Sequence, residues 1–230
     1  NFRLPGWVPI PVGVCLLTLS LGLSQALVGQ ERIQIQRETM AQMENLDAHI
    51  LETIDARTKA LERMAARWEM RHGTPQREWD ADAARYVNDH PGYLAIEWVD
   101  PTYRVRWKNI VAGNQAAPNP HAADRGKIRT ALDSARDNHE IVVSEPEPLA
   151  KGKLGFRISV PLFSKGGFDG FLTGVFSVND MIVHMLTKET RNNYAIRIST
   201  GNREIFSNYA PGDIASTGWV ESKQIGVHNR

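Results

Sequence analysis

The sequence contains one cysteine, Cys15, among 230 residues. A single thiol excludes an internal disulfide framework and every zinc or iron–sulfur site that needs several cysteines. An excess of charge of either sign is also missing, because 27 Lys and Arg residues face 26 Asp and Glu residues. Without net positive charge, the chain has no field that would hold a nucleic-acid backbone. We therefore expect no nucleic-acid partner.

Catalytic signatures are missing as well. The sequence has no Gly-x-Ser-x-Gly, no phosphate-binding Gly-x4-Gly-Lys and no dinucleotide fingerprint. No two of its seven histidines are spaced i, i+4, as a helical metal site would need. We expect no catalytic residues, no cofactor and no metal ion in this segment.

Charged residues are absent from residues 7–29. A helix of that length, at about 1.5 Å per residue, spans the roughly 30 Å hydrocarbon layer of a bilayer. A cleaved signal peptide and a buried core helix are the alternatives, but the apolar stretch of a signal has only about 7 to 15 residues. We therefore predict that residues 1–29 hold an N-terminal segment and a transmembrane helix, with Cys15 in lipid.

A long helix is predicted next, because no helix breaker occurs between Gln30 and His72, and Gly73 with Pro75 ends the pattern. Counting heptads from Ile33 gives a seam in which eight of twelve positions are apolar. Such a seam indicates packing against another helix. Two alternatives stay open for this stalk, residues 30–75: it forms a homodimer, or it buries one stripe along the chain's own domain.

Strand patterns begin after Trp79. Strands are predicted at 93–99, 103–110, 141–144, 154–163 and 168–178. Helices are predicted at 80–89, at 181–187, and from the residue after a capping Asp124 to about Asn138. A further hairpin at 194–199 and 204–208 predicts a second sheet that residues 187–230 leave incomplete. The order predicts an α+β fold: a transmembrane helix and a long stalk helix followed by tandem PAS-like antiparallel sheets, with the first lobe at residues 76–186.

The hairpin formed by the strands at 154–163 and 168–178 has one apolar face. Val160, Leu172, Gly174 and Phe176 fall on it. Glycine inside a strand costs stability, so Gly170 and Gly174 indicate that either a packed helix or a ligand approaches the backbone. Arg157 points away from this face, and we interpret it as solvated or salt-bridged at the surface. Trp107 lies opposite the basic row Arg104, Arg106 and Lys108, which is typical of a wet strand face.

Several segments together resemble a CHASE domain, the extracytoplasmic sensor module of cytokinin-sensing histidine kinases and of many bacterial kinases and cyclic-di-GMP enzymes. They are PGYLAIEWVDP at 91–101, VRWKNIVAGNQAA at 105–117, ALDSARDNHEIVVSEP at 131–146, and FRISVPLF followed by GFLTGVFSVNDMI. The resemblance covers roughly residues 79–186. A related double-PAS sensor of the Cache type is the alternative.

The resemblance implies a small-molecule sensor in the bacterial inner (plasma) membrane, periplasmic after about residue 30. It implies ligand contacts from the main chain of Val143 and from Val160 and Phe176. We add Leu172, Gly174 and Trp107 as candidate ligand contacts, with packing in the core as the alternative role of Trp107. Relatives use an acidic side chain ahead of the helix, where Asp124 is either that residue or a helix cap. A histidine kinase or diguanylate cyclase output domain is expected beyond residue 230. The alternative function is a membrane-anchored protein-interaction module without a small-molecule pocket.

Overall fold

A computed structural model describes residues 9–111, 125–149, 153–210 and 222–224 of the chain. The helices are α1 (Pro9–Met70), α2 (Gln76–Asp89), α3 (Arg125–Asn138), α4 (Val178–Met185) and α5 (Lys188–Asn193). The strands are β1 (Tyr93–Val99), β2 (Val105–Ile110), β3 (Val142–Val143), β4 (Glu147–Pro148), β5 (Leu154–Ser164), β6 (Gly167–Ser177), β7 (Arg197–Thr200) and β8 (Arg203–Ser207). The chain divides into two compact units: the first takes in α1 as far as Asn45, and the second takes in α1 from Leu46 together with the sheets.

Helix α1 runs unbroken from Pro9 to Met70 and so joins the predicted membrane segment to the predicted stalk. It ends as the sequence predicts, because Gly73 has a φ of 106° and its N–H donates to the carbonyl of Trp68 at 2.9 Å. In the part of the chain that the structure describes, no helix is long and apolar enough to cross a bilayer. Many side chains of the span 12–29, including that of Cys15, lie outside the described residues, and the membrane helix stays a prediction.

The heptad seam is buried only in the second unit. Ile50, Leu61, Met64 and Trp68 belong to its main hydrophobic core. From Ile50 onward, the alternative in which the helix buries a stripe along its own domain is therefore confirmed. In the first unit, the seam residues Ile33 and Met40 are exposed, and the homodimer stays a prediction.

The main sheet is antiparallel, with the order β2-β1-β6-β5-β3, and β4 pairs with β5. Its central strands are long and β-branched or aromatic, as the hairpin pattern predicts. The α+β fold class is thus confirmed. Strand β2 begins at Val105 rather than Tyr103, because Tyr103 has a φ of 65° and lies in the turn that leaves β1.

The two faces of this sheet differ in chemistry. One face carries Ile96, Ile158, Leu162 and Leu172, which belong to the same core as Leu61 of α1 and Trp79 of α2. The alternate residues point to the other face, because side chains alternate along a strand. That far face includes polar residues that are nevertheless buried.

Gly170 and Gly174 in β6 are required for different structural reasons. A Cβ on Gly174 would lie 2.8 Å from the ring of Phe176 in the same strand and 3.0 Å from Cδ1 of Leu61 in α1, so packing on the apolar face, with the helix as one contact, accounts for this glycine. Gly170 has a φ of 105°, and its Cβ would lie 2.0 Å from the carbonyl oxygen of Val99. Gly170 is therefore required by the neighbouring strand, which the sequence interpretation did not consider.

The second hairpin forms where the sequence predicts it, as β7 and β8 in a separate two-stranded sheet. Its apolar side chains do not form a core of their own among the described residues. Phe206 is buried in the main core, and Ile198 and Ile205 pack against it. The interpretation of residues 187–230 as part of a second lobe stays a prediction.

Candidate functional site

A cluster of charged and hydroxyl side chains lies on the far face of the sheet. We name it the polar cluster, and it consists of Glu97, Lys108, Glu147, Arg157, Ser159 and Thr173. Strand register explains why these residues meet. Glu97 in β1 pairs across the strands with Lys108 in β2 and with Thr173 in β6, and Thr173 pairs with Ser159 in β5.

Ion pairs connect the charged members of the polar cluster. Glu97 accepts from Lys108 Nζ at 2.9 Å through one carboxylate oxygen and from Arg157 Nη1 at 3.0 Å through the other. Arg157 Nε donates to Glu147 Oε1 at 2.7 Å. The hydroxyls of Ser159 and Thr173 lie 2.9 Å apart. The result is a chain of alternating charge with two cations, two carboxylates and no net charge.

Four of the six residues of the polar cluster are buried, and Lys108 and Glu147 are partly exposed. Glu97 and Thr173 are 3% exposed, Ser159 is 4% exposed and Arg157 is 8% exposed. Removing a charged group from water costs several kcal/mol, which its partners offset only with good geometry. Each charge here has a partner within 3.0 Å. These groups therefore sit in a low-dielectric setting, where a polar contact to a small molecule is stronger than in water.

Apolar surfaces flank the polar cluster on both sides. Ala95 and Val175 are buried on the same face and pack with Leu94 and Leu149 in a small second hydrophobic cluster. In the other direction lies Phe171, whose ring is 5.0 Å from that of Phe168 and 5.9 Å from that of Tyr103. Polar groups bordered by apolar side chains are a residue composition that small-molecule sites share.

Helix α3 is fixed beside this face through Tyr103. The Tyr103 hydroxyl donates to Asp133, and Arg136 Nη1 lies 3.3 Å from the same hydroxyl oxygen. The guanidinium of Arg129 lies 4.1 Å from the centre of the Tyr103 ring. Burial and the hydrogen bond to Asp133 together raise the pKa of Tyr103, so the neutral donor form is favoured.

The turn before Tyr103 is stabilised by Asp100. Its carboxylate accepts from the N–H and hydroxyl of Thr102, from the N–H of Arg104 and from Arg106 Nε. Burial alone would raise the pKa of Asp100, but these hydrogen bonds outweigh burial and hold it well below its usual range. The turn thereby sets the positions of both Tyr103 and the start of β2.

Six of the seven residues that the sequence analysis proposed as ligand contacts lie outside the polar cluster. Val160, Leu172, Gly174 and Phe176 are buried on the apolar face of the sheet. Trp107 also faces that side and packs against Trp68, Trp79 and Trp98. Val143 lies in β3, opposite Ile158. Asp124 lies outside the described residues. The ligand roles of these seven residues stay predictions. The structure does show a packing role for five of them, namely Val160, Leu172, Gly174, Phe176 and Trp107.

Two surface interpretations are corrected. Arg157 is salt-bridged, as one interpretation held, but it is buried rather than solvated, because β5 lies inside the sheet between β6 and β3. Lys108 does not lie on a wet face, since its side chain is 23% exposed and paired with Glu97. Arg104 and Arg106 are exposed, as that pattern predicts.

Sequence reasoning missed Glu97, Glu147 and the buried role of Arg157. A signal was present for two of them. Glu97 interrupts YLAIEWV and Arg157 interrupts LGFRISVPLF, which are otherwise apolar strands. Charges rarely occur inside central strands unless they are paired, so the two charges could have been matched to each other. Among the residues that the structure describes, no group of three or more His, Cys, Asp or Glu side chains could hold a metal ion.

Comparison with solved structures finds partial likenesses to extracellular ligand-binding domains. One is the ligand-binding domain of the Pseudomonas aeruginosa PAO1 amino acid chemoreceptor PctC in complex with GABA, which is 16% identical with a TM-score of 0.46, over 67% of this chain and 68% of that chain. An extracellular ligand-binding receptor from Desulfohalobium retbaense is 12% identical with a TM-score of 0.47, over 66% of this chain and 27% of that chain.

A third similar structure is the ligand-binding domain of the P. aeruginosa PAO1 chemoreceptor PctB in complex with L-Arg, 16% identical with a TM-score of 0.44. It is matched over 62% of this chain and 56% of that chain. No protein-family model and no curated protein sequence matches this chain. The likenesses are partial, and the site described above depends on the geometry of this chain alone.

Proposed function

We propose that this chain is the extracytoplasmic input region of a membrane signalling receptor and that it binds a small polar molecule at the polar cluster. One observation carries the proposal: a neutral network of four charged side chains and two hydroxyls lies on the sheet face opposite α1, with Glu97, Arg157 and both hydroxyls buried and Lys108 and Glu147 partly exposed. Replacing a buried ion pair with well-packed apolar residues is often neutral or stabilising. A purely structural sheet would therefore gain little stability from this network, and the binding of a polar ligand is the role that we propose for it.

The charge balance of the polar cluster restricts the ligand. Two cations and two carboxylates already neutralise each other, so a ligand with a net charge would leave one buried charge without a partner. A ligand with no net charge, carrying both donor and acceptor groups, avoids that cost. Zwitterions meet this condition because their cation can pair with Glu97 or Glu147 while their anion pairs with Arg157 or Lys108.

The finer parts of the proposal concern the receptor around the site. They are a PAS-like lobe of the CHASE type, a membrane helix within residues 1–29, a homodimer through α1 and a histidine kinase or diguanylate cyclase as the output domain. The exposed seam residues Ile33 and Met40 support the homodimer. The resemblance of the quoted segments supports the CHASE assignment.

A thermal-shift screen of the full chain in mild detergent tests the proposal. The panel contains amino acids, with GABA, L-arginine and L-glutamine among them, and also dicarboxylates, polyamines and purines. A ligand at 100 times its Kd stabilises the protein by about 2.7 kcal/mol, which raises the Tm by roughly 5–10 °C for a chain of this size. We expect a zwitterion to give such a shift.

Variants locate the binding site. Thr173→Val keeps the side-chain shape and removes one hydroxyl of the polar cluster, so we expect it to reduce the ligand-induced shift. Glu62→Gln, an exposed substitution on α1, is the matched control and should leave the shift unchanged. A shift that Thr173→Val leaves intact but Phe176→Leu removes would move the site to the apolar face. No shift with any compound of the panel would contradict the proposal.

The second candidate function is a membrane-anchored protein-interaction module without a small-molecule pocket. The exposed apolar side chain of Ile35 favours it, since this residue of α1 lies beyond the predicted membrane segment and is 41% exposed. Co-purification of a partner that Ile35→Ser abolishes, together with a panel that gives no thermal shift, would favour this function over the first.

A further inference from the structure

Strands β1 and β2 each carry two neighbouring residues that point to opposite faces of the sheet. In β1, Glu97 belongs to the polar cluster and Trp98 packs against the main core. In β2, Lys108 belongs to the polar cluster and Trp107 packs against the main core. The strand register places Glu97 opposite Lys108 and Trp98 opposite Trp107. An ion pair on one face therefore lies directly behind an aromatic pair on the other.

The aromatic pair contacts helix α1 through Trp68. The ring centroid of Trp68 lies 5.0 Å from that of Trp98 and 5.6 Å from that of Trp107. Trp98 and Trp107 are 4.6 Å apart, and Trp79 of α2 lies 5.7 Å from Trp107. We name Trp68, Trp79, Trp98 and Trp107 the tryptophan cluster. Because its members come from α1, α2, β1 and β2, any change in the strand positions must change how the helices pack.

Asp169 fixes this contact from the sheet side. Trp68 Nε1 donates to Asp169 Oδ2 at 2.6 Å, and Trp98 Nε1 donates to the Asp169 carbonyl at 3.2 Å. A hydrogen bond to a carboxylate is about twice as strong as one between neutral groups. One residue of β6 therefore holds both the α1 and the β1 members of the tryptophan cluster.

Strand β1, which carries residues of both clusters on its two faces, is locally irregular. The pairing of β1 with β2 shifts register between Trp98 and Val99. Gly170, next to Asp169, has a φ of 105°, and a Cβ added to it would lie 2.0 Å from the Val99 carbonyl oxygen. A bulge leaves one residue unpaired and disrupts the ladder locally, so the strand is less constrained here than along a regular ladder. The irregularity lies one residue from Glu97 on one side and next to Asp169 on the other.

We propose that the tryptophan cluster and Asp169 couple the state of the Glu97–Lys108 ion pair to the position of helix α1. The coupling gives the polar cluster a way to signal, and so it extends the proposed function on which it rests. A ligand that draws Lys108 or Arg157 away from Glu97 changes the charge and spacing behind Trp98 and Trp107. Signalling then requires that the ligand bind the two resulting packings of Trp68 with different affinity.

A double-mutant cycle tests the coupling without any ligand. Glu97→Gln keeps the side-chain shape and weakens the ion pairs, while Trp68→Phe removes the hydrogen bond to Asp169 and keeps an aromatic ring. Effects of independent, distant sites on the unfolding equilibrium constant multiply to within about twofold. We expect the Glu97→Gln/Trp68→Phe pair to depart from the product of the single effects by more than about fivefold. Asp169→Asn in place of Trp68→Phe should give a departure of the same sign.

The matched control is Ser159→Ala, which changes the same polar cluster on β5, away from the tryptophan-bearing strands. Its combination with Trp68→Phe should multiply to within about twofold. A second readout uses the background Trp7→Phe/Trp219→Phe, in which the four tryptophans of the cluster are the only ones left of the six in the chain. In that background, Glu97→Gln should shift the tryptophan emission maximum and Ser159→Ala should not.

Two results would overturn the coupling. One is a Glu97/Trp68 cycle that multiplies to within twofold, and the other is an emission maximum that Glu97→Gln leaves unchanged. Neither result bears on whether a ligand binds the polar cluster, which the thermal-shift screen decides. Conversely, a screen that finds no ligand would remove the proposed function while leaving the measured coupling as a property of the fold.

Discussion

The substitution Arg157→Met tests the buried network most directly. Methionine fills a similar length of space but removes the guanidinium that joins Glu97 to Glu147. Removing one partner of a buried pair leaves an uncompensated charge and costs about 3–5 kcal/mol. Glu97 keeps Lys108 at 2.9 Å, and Glu147 is 20% exposed and can regain some hydration. We therefore expect the low end of that range, about 3 kcal/mol of unfolding free energy.

The measurement is urea unfolding followed by far-UV circular dichroism, together with a thermal melt. A loss of about 3 kcal/mol corresponds to a Tm lower by roughly 6–12 °C for a chain of this size. The control is Arg71→Met, because Arg71 pairs with Glu78 at the surface and the two side chains are 55% and 56% exposed. Exposed pairs contribute only about 0–1 kcal/mol, so the control should change the Tm by no more than a few degrees.

The double substitution Glu97→Gln/Arg157→Met completes this test. Without the carboxylate, loss of the guanidinium no longer leaves Glu97 charged and underpaired, so the double variant should lose less than the sum of the two single losses. An Arg157→Met variant as stable as Arg71→Met would refute the reasoning. That result would mean that Arg157 is hydrated and that the network is not a low-dielectric site.

Three further predictions concern the supports of the site. The pKa of Asp100 is depressed in the folded state, so its contribution to the unfolding free energy is present above the ordinary aspartate pKa and is lost as pH falls through the folded value. Asp100→Asn should therefore cost about 2 kcal/mol at pH 7 and progressively less in acid. Denaturant melts at several pH values measure this dependence. Gly174→Ala should lower the unfolding free energy by about 1–3 kcal/mol because the added methyl would meet Phe176 and Leu61. The control is Gly126→Ala in α3, where a Cβ would have nothing within 4 Å; it should be neutral or stabilise by up to about 1 kcal/mol. Equal effects of the two substitutions would argue against close packing at Gly174. Leu61→Ala should cost about 2–5 kcal/mol and Leu51→Ala, 41% exposed, less than about 1 kcal/mol; similar losses in urea melts would show that α1 does not pack on the sheet.

Local patterns in the sequence were enough to predict most of the elements. The Gly73 and Pro75 pair predicts the end of α1, and the Gly166-Gly167 turn predicts the β5–β6 hairpin, because turn and cap chemistry depends on a few neighbouring residues. The alternation along β5 also predicts correctly that Arg157 and Val160 lie on opposite faces. These inferences need only the periods of a helix and a strand.

Local sequence patterns could not predict whether each face of the sheet is buried. Arg157 and Lys108 look like surface residues in the sequence, since alternation says which residues share a face but not what covers that face. The helices α1 and α2 cover the apolar face, and the polar face is buried as well. The residues predicted to contact a ligand on the apolar face are therefore part of a packed core in the structure.

Local sequence patterns also could not predict which residues pair across the strands. Glu97 and Arg157 are 60 residues apart, and Trp68 and Asp169 are 101 residues apart, yet both pairs form hydrogen bonds. The sequence by itself determined the elements, their turns and the two sides of each strand, because those follow from interactions between near neighbours. Only the tertiary structure decided that charges lie in a buried network on one side of the sheet and that tryptophans join the helix on the other, because strand order and register bring distant residues together.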